Sequence, residues 1–297
     1  MRKPLCRLTF FSLLAVLTVA PSLQAATTCG DGDFKGVYGM IARGDIAAVP
    51  DPVFTPIIGP VIRVSRVVTD GSGHVMSTSF ASYNGFVLSE DFSGTYHVNP
   101  DCTVRFDLIV PLPIIVGPDT FIPFPVPFVF LGALGEGGND LEITIAFPPG
   151  ATIRVQLHRQ DHNNGNDSDE RLACSTKDLS GIYQLDMYGR VISQPLLPAG
   201  PFTRSGSLTF DGRGEFSGTT FTNYNGFPSP LPEVLTGTYS VSRSCKVAVS
   251  YSFAGQNYGW TGVLTDGGRG ANLLETSPTG AVIGGTLLKT RGLNSAP

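Results

Sequence analysis

The feature that most constrains the fold of this chain is an internal repeat that covers nearly all of it after residue 28. Short motifs recur in the same order in two halves, and each half begins at a cysteine. The matched segments are 29–38 with 174–183, 70–73 with 211–214, 83–86 with 224–227, and 94–102 with 237–245. Because the order is kept throughout, we expect two tandem copies of one module, each of ordinary domain size.

The residues before the repeat are typical of an export signal. Arg2 and Lys3 precede an apolar run at 8–20, and small residues at 22–25 predict cleavage after Ala25. The run is too short for a membrane-spanning helix, so no spanning segment is expected after cleavage. The predicted organisation is a signal peptide (1–25), a first module (26–159), a polar linker (160–173), a second module (174–291) and a tail (292–297). We therefore predict a periplasmic or extracellular protein.

Four cysteines remain once the signal peptide, with Cys6, is removed. An even number in an exported chain indicates disulfides, although the sequence alone allows three pairings. Each copy carries one early and one middle cysteine, so pairing within each copy is the economical solution. We predict the disulfides Cys29–Cys102 and Cys174–Cys245. Each would close a loop of about 70 residues and stabilise its module by about 4 kcal/mol.

Composition and periodicity favour an all-β fold. Charged residues make up only 15% of the chain, whereas 36 glycines and 23 prolines supply turns. Apolar and polar residues alternate at 246–253, and Asp-Gly segments mark hairpins. About eight strands fit in each copy. We predict two tandem antiparallel meander β-barrels, since closure removes exposed sheet edges, with a β-sandwich as the alternative.

In such a meander, the connections from odd to even strands all lie at one end of the barrel. That end receives apolar, proline-rich segments: 46–60 and 109–131 in the first copy, 193–201 and 227–233 in the second. The predicted disulfides and the tight Asp-Gly turns lie at the opposite end. The long segment 109–131 is interpreted either as packed core, in a lid or against the second copy, or as a contact surface for a ligand, partner or membrane interface.

The Gly-x-Tyr sequences at 36–38 and 181–183 resemble the Gly-x-Trp start of calycin barrels, the group that includes lipocalins and avidins. The resemblance implies a basic residue beside that strand, supplied by Arg159 in the first copy and by Lys289 or Arg291 in the second. Gly-Thr-Tyr-x-Val before a cysteine also resembles uncharacterised exported bacterial proteins.

The avidin resemblance does not extend to the biotin site. Trp260 is the only tryptophan of the chain, and Leu185 stands where avidins place a biotin-binding asparagine. The sequence therefore gives no support for biotin binding.

The sequence contains no recognisable catalytic or metal-binding motif. The four histidines fit no zinc spacing, no nucleophile elbow is present, and no glycine-rich loop precedes a helix. A net charge of -4 with no basic cluster predicts no nucleic-acid partner. We expect no cofactor, no metal and no catalytic residue; the oligomeric state stays open.

Several polar residues occur at matching places in both copies. Asp70 and Asp211 begin hairpins and are interpreted as turn residues. The remaining pairs are predicted at the apolar end as candidate ligand-binding residues: Arg63 with Arg204, Tyr83 with Tyr224, Asn84 with Asn225, and Glu90 with Glu233. Each Arg–Glu pair is interpreted as a structural salt bridge or as a group that orients a polar part of a ligand.

The sequence supports three functions to different degrees. We predict an exported, non-catalytic protein that binds a small apolar molecule, or an apolar partner surface, at the proline-rich ends. A first alternative is a cofactor-free isomerase or cyclase in which Arg63, Glu90 and Tyr83 steer the substrate. A second alternative is a structural or adhesive surface protein whose barrels are filled with side chains.

Overall fold

The computed structural model describes residues 28–49, 51–117, 120–160, 173–194 and 197–290. The predicted signal peptide and nearly all of the predicted linker lie outside the described residues. Five short 3-10 helices occur in the described ranges: Asp31–Phe34, Pro52–Ile57, Glu136–Gly138, Thr176–Asp178 and Asp266–Gly268. No helix in these ranges has the length and apolar character needed to cross a membrane. Almost all the remaining regular structure is antiparallel strand.

The first module is a closed barrel of eight strands. They are β1 (Lys35–Ile46), β2 (Gly59–Asp70), β3 (His74–Tyr83), β4 (Phe86–Val98), β5 (Thr103–Gly117), β6 (Thr120–Leu134), β7 (Asp140–Phe147) and β8 (Ala151–Arg159). Each strand pairs with the next along the chain. β8 returns to pair with β1, from Tyr38 opposite Arg159 to Ile46 opposite Ala151, and so closes the sheet.

The second module repeats this topology. Its strands are β9 (Ser180–Val191), β10 (Gly200–Asp211), β11 (Glu215–Tyr224), β12 (Phe227–Pro228), β13 (Glu233–Val241), β14 (Lys246–Phe253), β15 (Gln256–Thr265), β16 (Gly270–Ser277) and β17 (Ala281–Lys289). β17 pairs with β9, and β10 pairs with β11, so eight strands close while the two-residue β12 only extends a hairpin. Two tandem eight-stranded meander barrels are confirmed, and the sandwich alternative is excluded.

Local sequence explains these strands and their turns. In β14, Val247, Val249 and Tyr251 are buried while the residues between them are exposed, as expected for a strand with one face inside the barrel. At the β2–β3 hairpin the Asp70 carboxylate accepts hydrogen bonds from backbone N–H groups of the turn, and Asp211 does the same at β10–β11. The turn role predicted for both aspartates is confirmed.

Both predicted disulfides are present, one in each barrel. Cys29 bonds to Cys102 and Cys174 bonds to Cys245, across sequence separations of 73 and 71 residues. Each bridge ties the segment before the first strand of its barrel to the turn before the fifth strand, which is the end opposite the proline-rich connections. Loops of this length correspond to about 4 kcal/mol of stabilisation per barrel in the chain-entropy description.

A basic residue lies over the tyrosine ring of each Gly-x-Tyr sequence, the position that the calycin resemblance implied. The Arg159 guanidinium is 5.6 Å from the Tyr38 ring centre, and the Lys289 ammonium is 5.8 Å from that of Tyr183. Arg291 lies outside the described residues.

The interpretation of 109–131 as a connection between strands is wrong. Most of these residues belong to β5 and β6, which pair from Thr103 opposite Ala133 to Gly117 opposite Thr120. Within the described strands, β5 pairs with β4 only as far as Ile109, so the rest of the hairpin continues as a two-stranded ribbon. Four of its prolines face each other in two pairs, Pro111 with Pro125 and Pro113 with Pro123, and facing prolines leave the other positions free to form the ladder.

The two barrels pack against each other through an apolar face. Ile41, Ile62 and Val64 of β1 and β2 are buried against Leu274 and Val282 of β16 and β17. These residues point outward, whereas the alternate residues of the same strands point into the barrels. Each of these strands therefore contributes side chains both to a barrel interior and to the interface. The cluster is separate from the two barrel interiors, which form their own apolar cores.

Polar contacts frame this interface. The Ser82 hydroxyl donates a hydrogen bond of 2.9 Å to the Ala281 carbonyl oxygen. The Arg43 guanidinium lies 4.0 Å from the centre of the Tyr188 ring. Burial lowers the pKa of Arg43 to about 10, with Asp186 opposing the shift. We expect the barrels to unfold as a coupled pair because the interface is both apolar and hydrogen-bonded.

Candidate ligand-binding site

Three of the predicted site residues meet inside the first barrel. Arg63 on β2, Tyr83 at the end of β3 and Glu90 on β4 all point inward from neighbouring strands. Arg63 Nη2 donates a hydrogen bond to Glu90 Oε1 at 2.5 Å and another to the Tyr83 hydroxyl. The Tyr83 hydroxyl donates to the same carboxylate oxygen at 2.9 Å. The three side chains therefore form one hydrogen-bonded polar cluster, although Glu90 Oε2 is buried without a hydrogen-bond partner in the described part of the chain.

The cluster is shielded from solvent, since Arg63 and Glu90 are each only 9% exposed. Burial alone would lower the pKa of Arg63, but the Glu90 carboxylate and the Tyr83 hydroxyl outweigh burial and raise that pKa above its ordinary value. The guanidinium is therefore charged and pairs with Glu90, whose own pKa is raised because burial outweighs the opposing effect of Arg63. A buried ion pair of this kind costs about 3–5 kcal/mol when one partner is removed, because the other charge is left uncompensated.

The second barrel holds the matching cluster with more partners. Arg204 is 3% exposed and donates through all three of its nitrogens. Nη2 bonds to Glu233 Oε2 at 3.0 Å and to the Tyr224 hydroxyl at 3.2 Å. Nη1 bonds to the Tyr251 hydroxyl at 2.8 Å, and Nε bonds to Thr222 Oγ1 at 3.0 Å. Burial alone would lower the pKa of Arg204, but the Tyr251 and Tyr224 phenols and the nearby carboxyl groups outweigh burial and raise it.

The structure thus brings six of the eight predicted residues into two clusters, but not the two asparagines. Asn84 and Asn225 lie in the turns after β3 and β11 with φ of 47° and 52°. A left-handed asparagine before glycine is what a tight hairpin requires, and this explains both residues structurally. Asn84 is half-buried and Asn225 is exposed. A ligand contact by either asparagine stays a prediction.

A cavity of about 80 Å³ lies in the first barrel beside its cluster. Arg63 and Tyr83 are the polar side chains in its described lining, and the remaining lining is apolar. Phe54 of the helix Pro52–Ile57, Leu112 of the ribbon and Pro149 of the β7–β8 turn all line it, which places it at the proline-rich end. Phe54 contacts Phe124 of the ribbon, with ring centres 5.7 Å apart. The helix and the ribbon therefore cover this end of the cavity.

At five positions of the cavity lining the second barrel has a larger side chain. Matching strand registers align Ala42 with Met187, Val61 with Phe202, Val75 with Phe216, Leu108 with Tyr251 and Phe130 with Trp260. In each of these pairs the second barrel has the bulkier residue. Tyr251, Trp260 and Phe216 pack together with ring centres 4.8–6.5 Å apart. The two copies share a fold and a polar cluster but differ in how completely they are filled.

Sequence reasoning missed the polar residues that are present in one copy alone. Glu275 on β16 is buried and accepts a hydrogen bond of 2.8 Å from Gln194 Nε2. Burial raises the pKa of Glu275 to about 7, with the Gln194 bond and Arg204 opposing the shift. Tyr251 bonds to Arg204 and was also missed. The alternation at 246–253 identifies Tyr251 as inward-pointing. A comparison of the two copies does not, because the matching residue of the first copy is Leu108.

The described histidines lie away from both clusters, on the surface. His74 pairs with Asp70 and His158 with Asp140, at 2.9 Å and 2.6 Å, and the third, His97, is 3.3 Å from an aspartate. All three histidine side chains are more than half exposed. His162 lies outside the described residues. These histidines make exposed contacts with aspartates at turns and strand ends.

Comparisons with known proteins add little to this geometry. No protein-family model matches the chain, and no curated protein matches it. A Nostoc punctiforme protein of unknown function from the DUF3598 family aligns over 88% of this chain and 98% of its own, with 14% identity and a TM-score of 0.26.

Two further solved structures align at similarly low levels. Transferrin binding protein B of Neisseria meningitidis aligns over 86% of this chain and 75% of its own, with 7% identity and a TM-score of 0.31. The Myxococcus xanthus hemagglutinin, solved with a mannopentaose, aligns over 85% of this chain and 100% of its own, with 13% identity and a TM-score of 0.15. At these scores the alignments carry no functional argument, so function rests on the site itself.

Proposed function

We propose that this chain is an exported, non-catalytic binding protein whose first barrel holds a small apolar molecule. The observation that carries the proposal is the cavity of about 80 Å³, which is apolar except at Arg63 and Tyr83. Ligand sites are typically apolar cavities with a few polar groups that fix orientation. An unfilled space in a barrel interior also costs stability, so it needs a reason other than folding.

The second barrel supports this reading by contrast. It has the same topology, disulfide and Arg–Tyr–Glu cluster, yet Met187, Phe216 and Trp260 fill the space that Ala42, Val75 and Phe130 leave open in the first. Folding of the module therefore does not depend on the cavity. We infer that the first barrel binds and that the second serves as a filled structural partner, joined to it through the β1–β2 face.

Entry to the cavity would pass the proline-rich end. There Phe54 of the helix Pro52–Ile57 contacts Phe124 of the ribbon, and a contact with an apolar ligand could replace this one. The ribbon extends beyond the β4–β5 pairing, so it can bend away from the helix without breaking the ladders that close the barrel. A small apolar ligand would therefore enter without unfolding the first barrel.

The test is co-purification followed by a matched pair of variants. The full chain is purified from its own host and analysed by native mass spectrometry and organic extraction, with a bound small molecule as the expected result. Val75→Phe places the second barrel's residue in the cavity and should abolish that binding. Met76→Phe changes the adjacent residue, which is 65% exposed on the outer face, and should retain it.

Two results would contradict the proposal. One is a wild-type protein that yields no small molecule from host material and binds no apolar probe. The other is a Val75→Phe variant that is folded and binds as well as the wild type, because the ligand would then lie elsewhere.

A further inference from the structure

The two clusters differ in how many of the arginine donors are used. In the second barrel all three Arg204 nitrogens donate. In the first barrel, within the described part of the chain, the side-chain hydrogen bonds of Arg63 are made by Nη2 alone. Arg63 Nε and Nη1 carry three N–H groups, and Arg63 lines the cavity. Because Arg63 lines the cavity, an acceptor that occupies this space would gain hydrogen bonds from these donors, so they are available to a ligand.

The strand registers identify what takes the matching donors in the second barrel. Tyr251 lies opposite Gly237 of the Gly-Thr-Tyr motif, and Leu108 lies opposite the matching Gly94. Thr222 lies opposite Arg204, and Ala81 lies opposite Arg63. The Tyr251 and Thr222 hydroxyls, which accept from Arg204 Nη1 and Nε, are therefore replaced in the first barrel by the apolar side chains of Leu108 and Ala81.

We infer that the first barrel binds an apolar molecule bearing one uncharged hydroxyl, a phenol or an alcohol, whose oxygen accepts a hydrogen bond from Arg63. This inference rests on the proposed function and names the class of ligand. The Tyr251 phenol in the second barrel is its internal template: a ring in the apolar interior with its hydroxyl 2.8 Å from Arg204 Nη1. In the first barrel Leu108 lines the cavity instead, and the ligand occupies the place of that phenol.

The charge balance of the site excludes an anionic head group as the preferred one. The Arg63 cation already has the Glu90 carboxyl as its partner at 2.5 Å, and the Tyr83 hydroxyl donates to the same carboxyl oxygen. A ligand carboxylate would add a second anion to a buried site without a second cation, which is strongly unfavourable. An uncharged oxygen accepts from the free N–H groups without disturbing this balance.

Three probes of similar shape test the inference on the full chain by isothermal titration calorimetry. They are p-cresol, which equals the tyrosine side chain, p-xylene, which replaces the hydroxyl by methyl, and 4-methylbenzoate, which carries a carboxylate. We expect p-cresol to bind about tenfold more tightly than p-xylene, as one hydrogen bond to a charged donor allows. We expect 4-methylbenzoate to bind most weakly.

The possible outcomes separate the inference from the proposed function. Equal binding of p-cresol and p-xylene, or tightest binding of 4-methylbenzoate, leaves an apolar cavity but overturns the hydroxyl assignment. Binding of none of the three, by a chain that also yields no small molecule from its host, overturns the proposed function as well.

Removal of the phenol from the second barrel provides a second test. Tyr251→Ala removes the template phenol and exposes the Arg204 donor, so p-cresol should raise the melting temperature of this variant more than p-xylene does. Tyr258→Ala is the matched control, because its ring stacks 5.2 Å from that of Tyr251 while the hydrogen bonds of Arg204 are all to other residues. Both probes should stabilise that control equally. Equal stabilisation in both variants would overturn the inference.

Discussion

The stability of the second barrel should fall as pH rises toward neutrality, because of one buried carboxyl group. Glu275 is 3% exposed, and its pKa is raised from 4.5 to about 7. The folded chain therefore holds this proton at pH values where the unfolded chain has released it. The stability that the neutral group contributes is complete below pH 4.5 and is lost as pH rises through 7. A difference of this size corresponds to about 3 kcal/mol.

The substitution Glu275→Gln removes the ionisation and keeps the shape. A glutamine oxygen at this position still accepts the 2.8 Å hydrogen bond from Gln194 Nε2. We expect the variant to match the wild type near pH 4.5 and to exceed it by about 3 kcal/mol at pH 8, with the gap opening between these values. Glu215→Gln is the control, since Glu215 is an exposed acid of the same barrel.

Urea denaturation followed by tryptophan fluorescence is the suitable assay. Trp260 is the single tryptophan, and it lies directly opposite Glu275 in the β15–β16 pairing, so its signal reports unfolding of this barrel. Measurements at pH 5, 6, 7 and 8 give the free energy of unfolding of each variant. A gap between Glu275→Gln and wild type that is constant across this range would refute the reasoning, as would an equal gap for the control.

Three other perturbations have definite expected outcomes. Arg204→Met should destabilise the second barrel by about 3–5 kcal/mol, because Glu233 is left as an unpaired buried charge; an effect below 1 kcal/mol in urea denaturation would contradict this. Replacing Cys174 and Cys245 together by serine should lower the unfolding free energy of the second barrel, followed by Trp260 fluorescence in urea, by about 4 kcal/mol; a loss below 1 kcal/mol would contradict this. Leu274→Asp should place a charge in the face between the barrels and split one calorimetric transition into two, and a single unchanged transition would show that the barrels are not coupled there.

Much of the candidate site could be predicted because the chain contains two copies of the module, which can be compared residue by residue. Arg63, Tyr83 and Glu90 each recur at a matching place in the second copy, and the structure brings the three members of each copy into one cluster. The same criterion misses any residue that differs between the copies. Tyr251 decides whether an arginine donor is satisfied, yet it has no tyrosine counterpart in the first copy.

The proline-rich segment shows a second limit of local reasoning. Prolines at alternate positions indicate a connection when each is considered by itself, since proline cannot donate to a ladder. Facing pairs such as Pro113 opposite Pro123 remove that objection, because the missing donors all fall on the outer edges of a two-stranded ribbon. Which proline faces which depends on the register of β5 against β6, and register is a property of the folded sheet.

The sequence by itself determined the two repeated all-β modules and the turns at Asp70 and Asp211, and it favoured barrels and the pairing of cysteines within each copy. These features follow from repetition, from period-two alternation and from short-range turn chemistry, which act within a strand or a hairpin. Only the tertiary structure decided which barrel is filled and how the two barrels pack together. The free volume of a barrel is set by side chains from all eight strands at once, as the exchange of Leu108 for Tyr251 shows, and a local pattern cannot sum volumes across strands.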